Sequence, residues 1–288
     1  MWKSLLFALV LVSGALLAAP LGAAQPRESL LVTPDWLAAH LSDRTLVILH
    51  AGNAASYAQG HIPGARLADV AQVSVEGPHG LSVELPPAGV LRQKLEALGI
   101  SDNSRILVYS ASPTIPRATR VLLTLRAAGF AGRCFLLNGG LEAWKNQGLP
   151  VTTKGADVVP GRLKPLTFQP LALRAVIVDA DFVKARLGRP GMVLIDARAP
   201  EFYSGEKPSM GGRGHIPGAR NIAFTAVTGA DGRLKPAREL RRMFAAAGYR
   251  PGDRVIVYCH VGIQGTAVVF AARTLGMDGR LYDGSFQD

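Results

Sequence analysis

The residue best placed for chemistry is Cys259. It follows directly on the apolar run Val255–Tyr258 and opens the stretch Cys259-His260-Val261-Gly262-Ile263-Gln264-Gly265, after which Thr266 to Leu275 has helical spacing. A cysteine between a strand end and a helix start lies where open α/β sheets bind ligands. The backbone N–H groups of such a loop, with the helix dipole behind them, hold an anion, and the same field favours the nucleophilic thiolate. The competing expectation for a lone cysteine on an apolar strand is a buried, inert thiol, but Cys259 follows its strand rather than lying inside it. The other cysteine, Cys134, lies within the strand-like run Arg133 to Leu137 and reads as a core thiol, with Leu281 as its counterpart in the second half. Pairing of Cys134 with Cys259 in an oxidising compartment is the alternative, and it would silence the thiol.

The elements that position Cys259 occur twice. Gly60-His61-Ile62-Pro63-Gly64-Ala65-Arg66 returns letter for letter as Gly214-His215-Ile216-Pro217-Gly218-Ala219-Arg220. Val47–Ala51 resembles Val193–Ala197, Arg105–Tyr109 resembles Arg254–Tyr258, and Asn138-Gly139-Gly140 lies opposite Asp283-Gly284-Ser285 in the same order. The chain is therefore two copies of one unit. Short runs rich in Val and Ile, such as Leu46–Leu49 and Ile106–Tyr109, read as strands of a parallel sheet buried on both faces. Leu91–Leu98 and Thr119–Ala128 read as helices stopped by Gly99 and Gly129. The alternation predicts an α/β fold in which each copy is an open, mostly parallel sheet with helices on both faces. The boundaries expected are a signal over 1–24, a first domain over 25–152, a linker over 153–170 marked by Pro160, Pro165 and Pro170, and a second domain over 171–288. The second copy ends at Asp288, just before the position matching Trp144, which reads as either a fragment boundary or a divergent terminus.

Together, the strand-ending cysteine in a Cys-x-x-Gly loop, the two His-Ile-Pro-Gly-Ala copies, Asp196-Ala197-Arg198 after a buried strand and Tyr282-Asp283-Gly284-Ser285 resemble the tandem rhodanese sulfurtransferases. The resemblance implies that the second domain is catalytic and that Cys259 takes a sulfane sulfur from a donor as a persulfide. The sulfur then passes to a thiophilic acceptor such as cyanide or a thiol. It further implies that His260, Val261, Gly262, Ile263 and Gln264 cradle the persulfide, that Arg198 meets the donor anion, and that Asp196 and Asp283 brace loops. For Asp283, simple capping of its own turn is an equal alternative. No metal and no cofactor is expected, since an activated thiolate and convergent dipoles suffice. The first copy is expected to be inactive: Ser110 stands opposite Cys259, and its loop to Pro116 carries two prolines, which lack N–H donors, and about two extra residues. That domain is expected to shape the cleft between the copies, with His61 and neighbouring arginines contributing. His61 and His215, identical in both copies, read as structural. His260, whose twin is Ala111, reads as a partly protonated group that attracts an anionic donor.

In this family thiosulfate-using members follow the cysteine with two basic residues and mercaptopyruvate-using members with Gly-Ser. The residues here are His260 and Val261, and no second donor-binding arginine stands within Phe202–Gly205. The reading leans to thiosulfate or a related sulfane donor, with 3-mercaptopyruvate as the alternative. From another class, an exported sulfur carrier or scaffold without turnover is the competing reading. A cysteine phosphatase needs an arginine where Gly265 stands, which removes the fork for phosphate.

Composition sets the surroundings. The 288 residues are 48% hydrophobic with a net charge of +11, which suits small anionic partners. No Lys/Arg stripe interleaved with aromatics and no nucleic-acid-binding signature is present, so nucleic acid is not expected as a partner. Met1–Ala24, with Lys3, the uncharged run Leu5–Leu21 and small residues at its end, reads as an export signal cleaved before Gln25. An uncleaved membrane anchor is the other reading of that run. The expectation is a periplasmic or otherwise exported protein with no stable membrane insertion after cleavage.

Overall fold

Runs dense in Val, Ile and Leu become short strands, and the amphipathic stretches between them become helices, twice over. The computed structural model describes residues 30–155 and 176–288. The signal expected over 1–24 and most of the expected linker lie outside the described residues. In the first half the order is β1 (Leu31–Val32), α1 (Pro34–His40), β2 (Leu46–Ala51), α2 (Ala54–Gln59), β3 (Arg66–Leu67), α3 (Ala88–Ala97), β4 (Arg105–Ser110), α4 (Pro116–Leu125), β5 (Cys134–Leu137) and α5 (Gly140–Asn146). The second half repeats it as β6 (Ile177–Val178), α6 (Ala180–Lys184), β7 (Met192–Asp196), α7 (Pro200–Tyr203), β8 (Arg220–Asn221), α8 (Ala237–Ala246), β9 (Arg254–Tyr258), α9 (Gly265–Thr274) and β10 (Asp278–Tyr282).

The two sheets have the same strand order, β1-β5-β4-β2-β3 and β6-β10-β9-β7-β8, and every strand pair is parallel. Side-chain caps set helix starts: Thr33 accepts from the Trp36 N–H, Asn53 closes a capping box with Ser56, and Asp179 accepts from the Phe182 N–H. Gly99 and Gly129 adopt φ of +70° and +92°, the left-handed conformation expected of helix stops. One apolar cluster runs unbroken from Leu91, Ile106 and Val121 in the first half to Val255, Val268 and Leu281 in the second. Helices α4 and α9 carry it across: both are buried nearly all round, each against its own sheet and against the other helix. Each large aliphatic side chain buried there contributes roughly 1.5–3 kcal/mol, so the seam is part of the core.

Two expectations from the repeat alignment are corrected. Helices α4 and α9 begin the same distance beyond Ser110 and Cys259, so the first loop has no extra residues. The insertion lies after α4, in a π-helical turn over Arg126–Phe130. The partner of Cys134 is Gly279, not Leu281, because Ile106 pairs with Cys134 as Val255 pairs with Gly279. A side chain at Gly279 would press on the carbonyl of Val269 in α9, with its Cβ 3.0 Å from that oxygen.

Candidate active site

Cys259 sits at the C-terminal end of β9, fully buried. Its N–H donates to Ser285 Oγ at 3.3 Å and its carbonyl accepts from the Phe286 N–H at 3.0 Å, so the segment after β10 holds it on both sides. From there the chain bends through Gly262 at φ +78° into α9. Among the described residues, no protein group accepts from the amides of His260 through Gln264. The buried Gln264 Oε1 also has no protein partner. The loop thus offers unspent donors beside a thiol at a helix N-terminus. A Cβ at Gly265 would lie 3.0 Å from Leu281 Cδ1 and 3.4 Å from the Tyr258 carbonyl carbon, which leaves little room for an arginine there.

Arg198 and Asp196 form a fully buried pair at the end of β7. Arg198 Nε lies 3.0 and 3.1 Å from the two carboxylate oxygens and Nη2 lies 2.6 Å from Oδ2, while Nη2 also donates to the Gly214 carbonyl at 2.7 Å. The Phe286 ring covers the guanidinium at 3.8 Å. Asp196 therefore orients Arg198, and Nη1 is the nitrogen left without a protein partner. Val261 and Ile263 contribute backbone to the loop.

His260 departs from expectation. Its Nδ1 lies 2.6 Å from Ser209 Oγ, and its ring meets Phe202 edge-on at 4.7 Å. Burial, helped by the positive charge of Arg198, holds its pKa below the ordinary imidazole value, so near neutrality it is an uncharged ring rather than an anion attractor. Asp283 departs too. Rather than capping its own turn, its carboxylate accepts from the Leu85 N–H at 2.9 Å and from both Nη atoms of Arg120, and these donors belong to the first half.

Sequence reasoning missed Arg120. It lies fully buried in α4 and also donates from Nη1 to the Gly262 carbonyl at 3.0 Å, inside the Cys259 loop. The available signal was a lone cation in the otherwise uncharged run Ala118–Leu125 with no acid on its own helix. His61, expected near the cleft between copies, is instead tied within its own half. Its Nδ1 is 2.9 Å from the Tyr57 carbonyl, its Nε2 is 3.0 Å from the Lys154 carbonyl, and its ring stacks on Tyr57. His215 repeats this with Tyr203. The repeated heptapeptide is a clamp: Ile62 and Ile216 donate their N–H groups to the hydroxyls of Tyr109 and Tyr258, and the hydroxyls of Tyr57 and Tyr203 donate to the carbonyls of Ala65 and Ala219.

In the first half, Ser110 Oγ donates to the Thr114 carbonyl and accepts from the Ser112 N–H, the Ala111 N–H donates to Ala51, and Pro113 has none to offer. Both cysteines are free thiols, and burial pushes the Cys134 thiol up to about 11, well into the protonated range. No group of His, Cys, Asp and Glu among the described residues is arranged to hold a metal ion, and no described helix is long and apolar enough to cross a membrane.

A family model described as the Rhodanese-like domain matches residues 33–147 and again residues 179–288. Over 276 residues, 90% of this chain and 94% of the relative, the sequence is 35% identical to the probable 3-mercaptopyruvate sulfurtransferase of Pseudomonas aeruginosa. It is 32% identical to the putative thiosulfate sulfurtransferase of Synechococcus elongatus, over 99% of this chain and 92% of the relative. The crystal structure of the Escherichia coli 3-mercaptopyruvate sulfotransferase SseA superposes with a TM-score of 0.77 at 30% identity, covering 88% of this chain and 98% of that one.

Proposed function

The chain belongs to the rhodanese family and is a sulfurtransferase, and from that premise we propose that Cys259 carries the sulfur, with thiosulfate or a related sulfane donor as its source. The Cys259 thiolate attacks the outer sulfur of thiosulfate. The S–S bond of the donor breaks, and sulfite leaves with the electron pair. What remains is a Cys259 persulfide anion. Cyanide or an acceptor thiolate then attacks the terminal sulfur, which departs as thiocyanate or a new persulfide and returns the Cys259 thiolate. Neither half-reaction requires a proton in flight, which suits a loop with dipoles and no loop serine.

The observation that carries this reading is the loop itself: the unspent amides of His260 through Gln264 around a strand-end thiol. Arg198 supports it, since Nη1 is a spare charged donor held by Asp196 for an anionic group. A second reading, 3-mercaptopyruvate as donor, is favoured by one contact. Breaking its C–S bond leaves a carbon that must gain a proton, and the neutral His260 ring bonded to the Ser209 hydroxyl is a proton-bearing pair where the loop lacks a serine. Intact mass spectrometry with thiosulfate and then cyanide tests both. One sulfur gained on Cys259 and removed as thiocyanate supports thiosulfate. Gain only from mercaptopyruvate supports the second reading. Charging without steady-state turnover would make the protein a carrier.

The proposal assigns the chemistry to residues 171–288, a supporting role to 25–152, and export to Met1–Ala24. A periplasmic product that begins at Gln25 is the expected result of N-terminal sequencing, and retention of Met1 in a membrane fraction would overturn the export reading.

A further inference from the structure

A guanidinium buried in an apolar helix loses its water and must be matched by acceptors with good geometry. Within its own half Arg120 is flanked by Thr119 and Val121 and makes no ion pair there; its acceptors are the Gly262 carbonyl and the Asp283 carboxylate of the other half. Those two acceptors flank the thiol. Gly262 lies three residues past Cys259. Asp283 lies two residues before Ser285, whose hydroxyl accepts from the Cys259 N–H.

The bond to Gly262 fixes more than one carbonyl. A trans peptide is planar, so turning the Gly262 C=O toward Arg120 sets the N–H of Ile263 on the opposite side of the loop, away from the first domain. That N–H is one of the loop donors left unspent. The packing is tight: a Cβ at Gly262 would stand 2.9 Å from the Asp283 carbonyl oxygen and 3.2 Å from Arg120 Nη1. Around the cluster, Leu85 donates its N–H to Asp283 at 2.9 Å and Ser82 exchanges two hydrogen bonds with Gln287. Thr119 and Thr266 meet at 2.7 Å between α4 and α9.

We propose that Arg120 is a positioning residue for sulfur transfer: from the domain that lacks the thiol, it holds the Cys259 loop and the Ser285 segment in the one geometry that accepts the transferred sulfur. The inference rests on Cys259 being the sulfur-carrying residue. It assigns the first domain a part in the rate, beyond filling space.

The test uses the full chain with Arg120→Lys, Arg120→Gln and Arg120→Ala, each checked by thermal melting and assayed well below its transition. Two rates are read: persulfide formation on Cys259 with thiosulfate, by quenched intact mass, and alkylation of Cys259 by iodoacetamide across pH, by peptide mass so that Cys134 is counted apart. Arg120→Gln and Arg120→Ala are expected to charge about tenfold or more slowly, the size of effect seen when an orienting partner or preorganised donor is lost. Their alkylation profiles should shift along the pH axis. Arg120→Lys should recover part of both, since an ammonium keeps the charge and one of the bonds. If Arg120→Ala does not fold, Arg120→Gln and Arg120→Lys carry the comparison. Folded variants with wild-type charging rates and wild-type alkylation profiles would overturn the proposal. Failure of the wild-type chain to take sulfur from any donor would instead refute the role of Cys259, and with it the premise of the role given to Arg120.

Discussion

The loops after β4 and β9 begin at matched strand ends and enter matched helices, yet one is closed and the other open. After β9 the thiol of Cys259 is followed by amides with no protein acceptor. After β4 the hydroxyl of Ser110 turns back on Thr114 and Ser112, Ala111 is bonded to Ala51, and Pro113 removes a donor. The difference extends to the neighbouring strand. Where the second half has the buried pair Asp196 and Arg198, the first has His50 and Gly52. His50 is spent on the Tyr109 hydroxyl at 2.9 Å and the Ser56 hydroxyl at 3.0 Å, and burial lowers its pKa to about 4, so it carries no charge near neutrality. A Cβ at Gly52 would fall 2.6 Å from His50 Nε2 and 2.8 Å from the Ala111 side chain, so an arginine does not fit there. The first copy therefore differs by more than its cysteine: where the second has a charged pair and free amides, it has an uncharged ring, bonded donors and no room for an arginine.

The comparison can be broken at several points. Cys259→Ser should reduce sulfur transfer to background, a loss of about 10³-fold or more, with the melting transition retained. Turnover assays beside thermal melts check this, and retained activity would place the chemistry elsewhere. Arg198→Ala should come next: it leaves the Asp196 carboxylate buried and unmatched, which costs about 3–5 kcal/mol of stability, and it removes the spare Nη1 donor. Denaturant unfolding and the KM for thiosulfate would measure the two effects, and an unchanged KM would sink the anion role.

A smaller effect is expected at the seam. Burial and the facing Asp283 push the Glu84 carboxyl up to about 7, against the pull of Arg120, while Asp288 adds to the rise. An acid with a higher pKa folded than unfolded binds its proton more tightly in the native state. The stability is then fullest below its ordinary value of 4.5 and falls as pH rises to about 7. Glu84→Gln should flatten that fall by roughly 1 kcal/mol, after allowance for its partial exposure to solvent. Melting curves at pH 5 and pH 8 would show it, and an unaltered difference between them would count against the shift. The smallest expected effect is that of Ser110→Cys, which should gain no persulfide, because the Ala111 N–H is bonded to Ala51, Pro113 has no N–H and no arginine fits at Gly52. A second sulfur on that residue in intact mass spectra would show that the cysteine alone separates the copies.

Much of this contrast was legible in the residues. The repeated heptapeptide, the strand-ending Cys259 and the prolines after Ser110 are local features, and local features fix strands, turns and the donors a backbone retains. What escaped depended on contacts between distant segments. Arg120 meets Gly262 and Asp283 only because α4 and α9 pack together, and nothing near Arg120 in sequence names its acceptors. Burial and Arg198 act on His260 only in the fold, and both lower its pKa, against the charge expected of it. The extra residues expected before α4 lie after it instead, where the π-helical turn over Arg126–Phe130 absorbs them. The same uncertainty of register misplaced the counterpart of Cys134.

The shared core has a consequence for how such a protein can change. The first domain carries Ser110 where the second carries its thiol, and removing it would leave the strand-end cysteine in place. Yet the nearly wholly buried helix α9, which Thr266 joins to Thr119 of α4, would then present its seam face to water, a patch that invites aggregation. The loop at Ser110 is therefore free to drift, while α4 beside it is not. Two copies of one unit that share a core are in this way bound to each other by the face each covers.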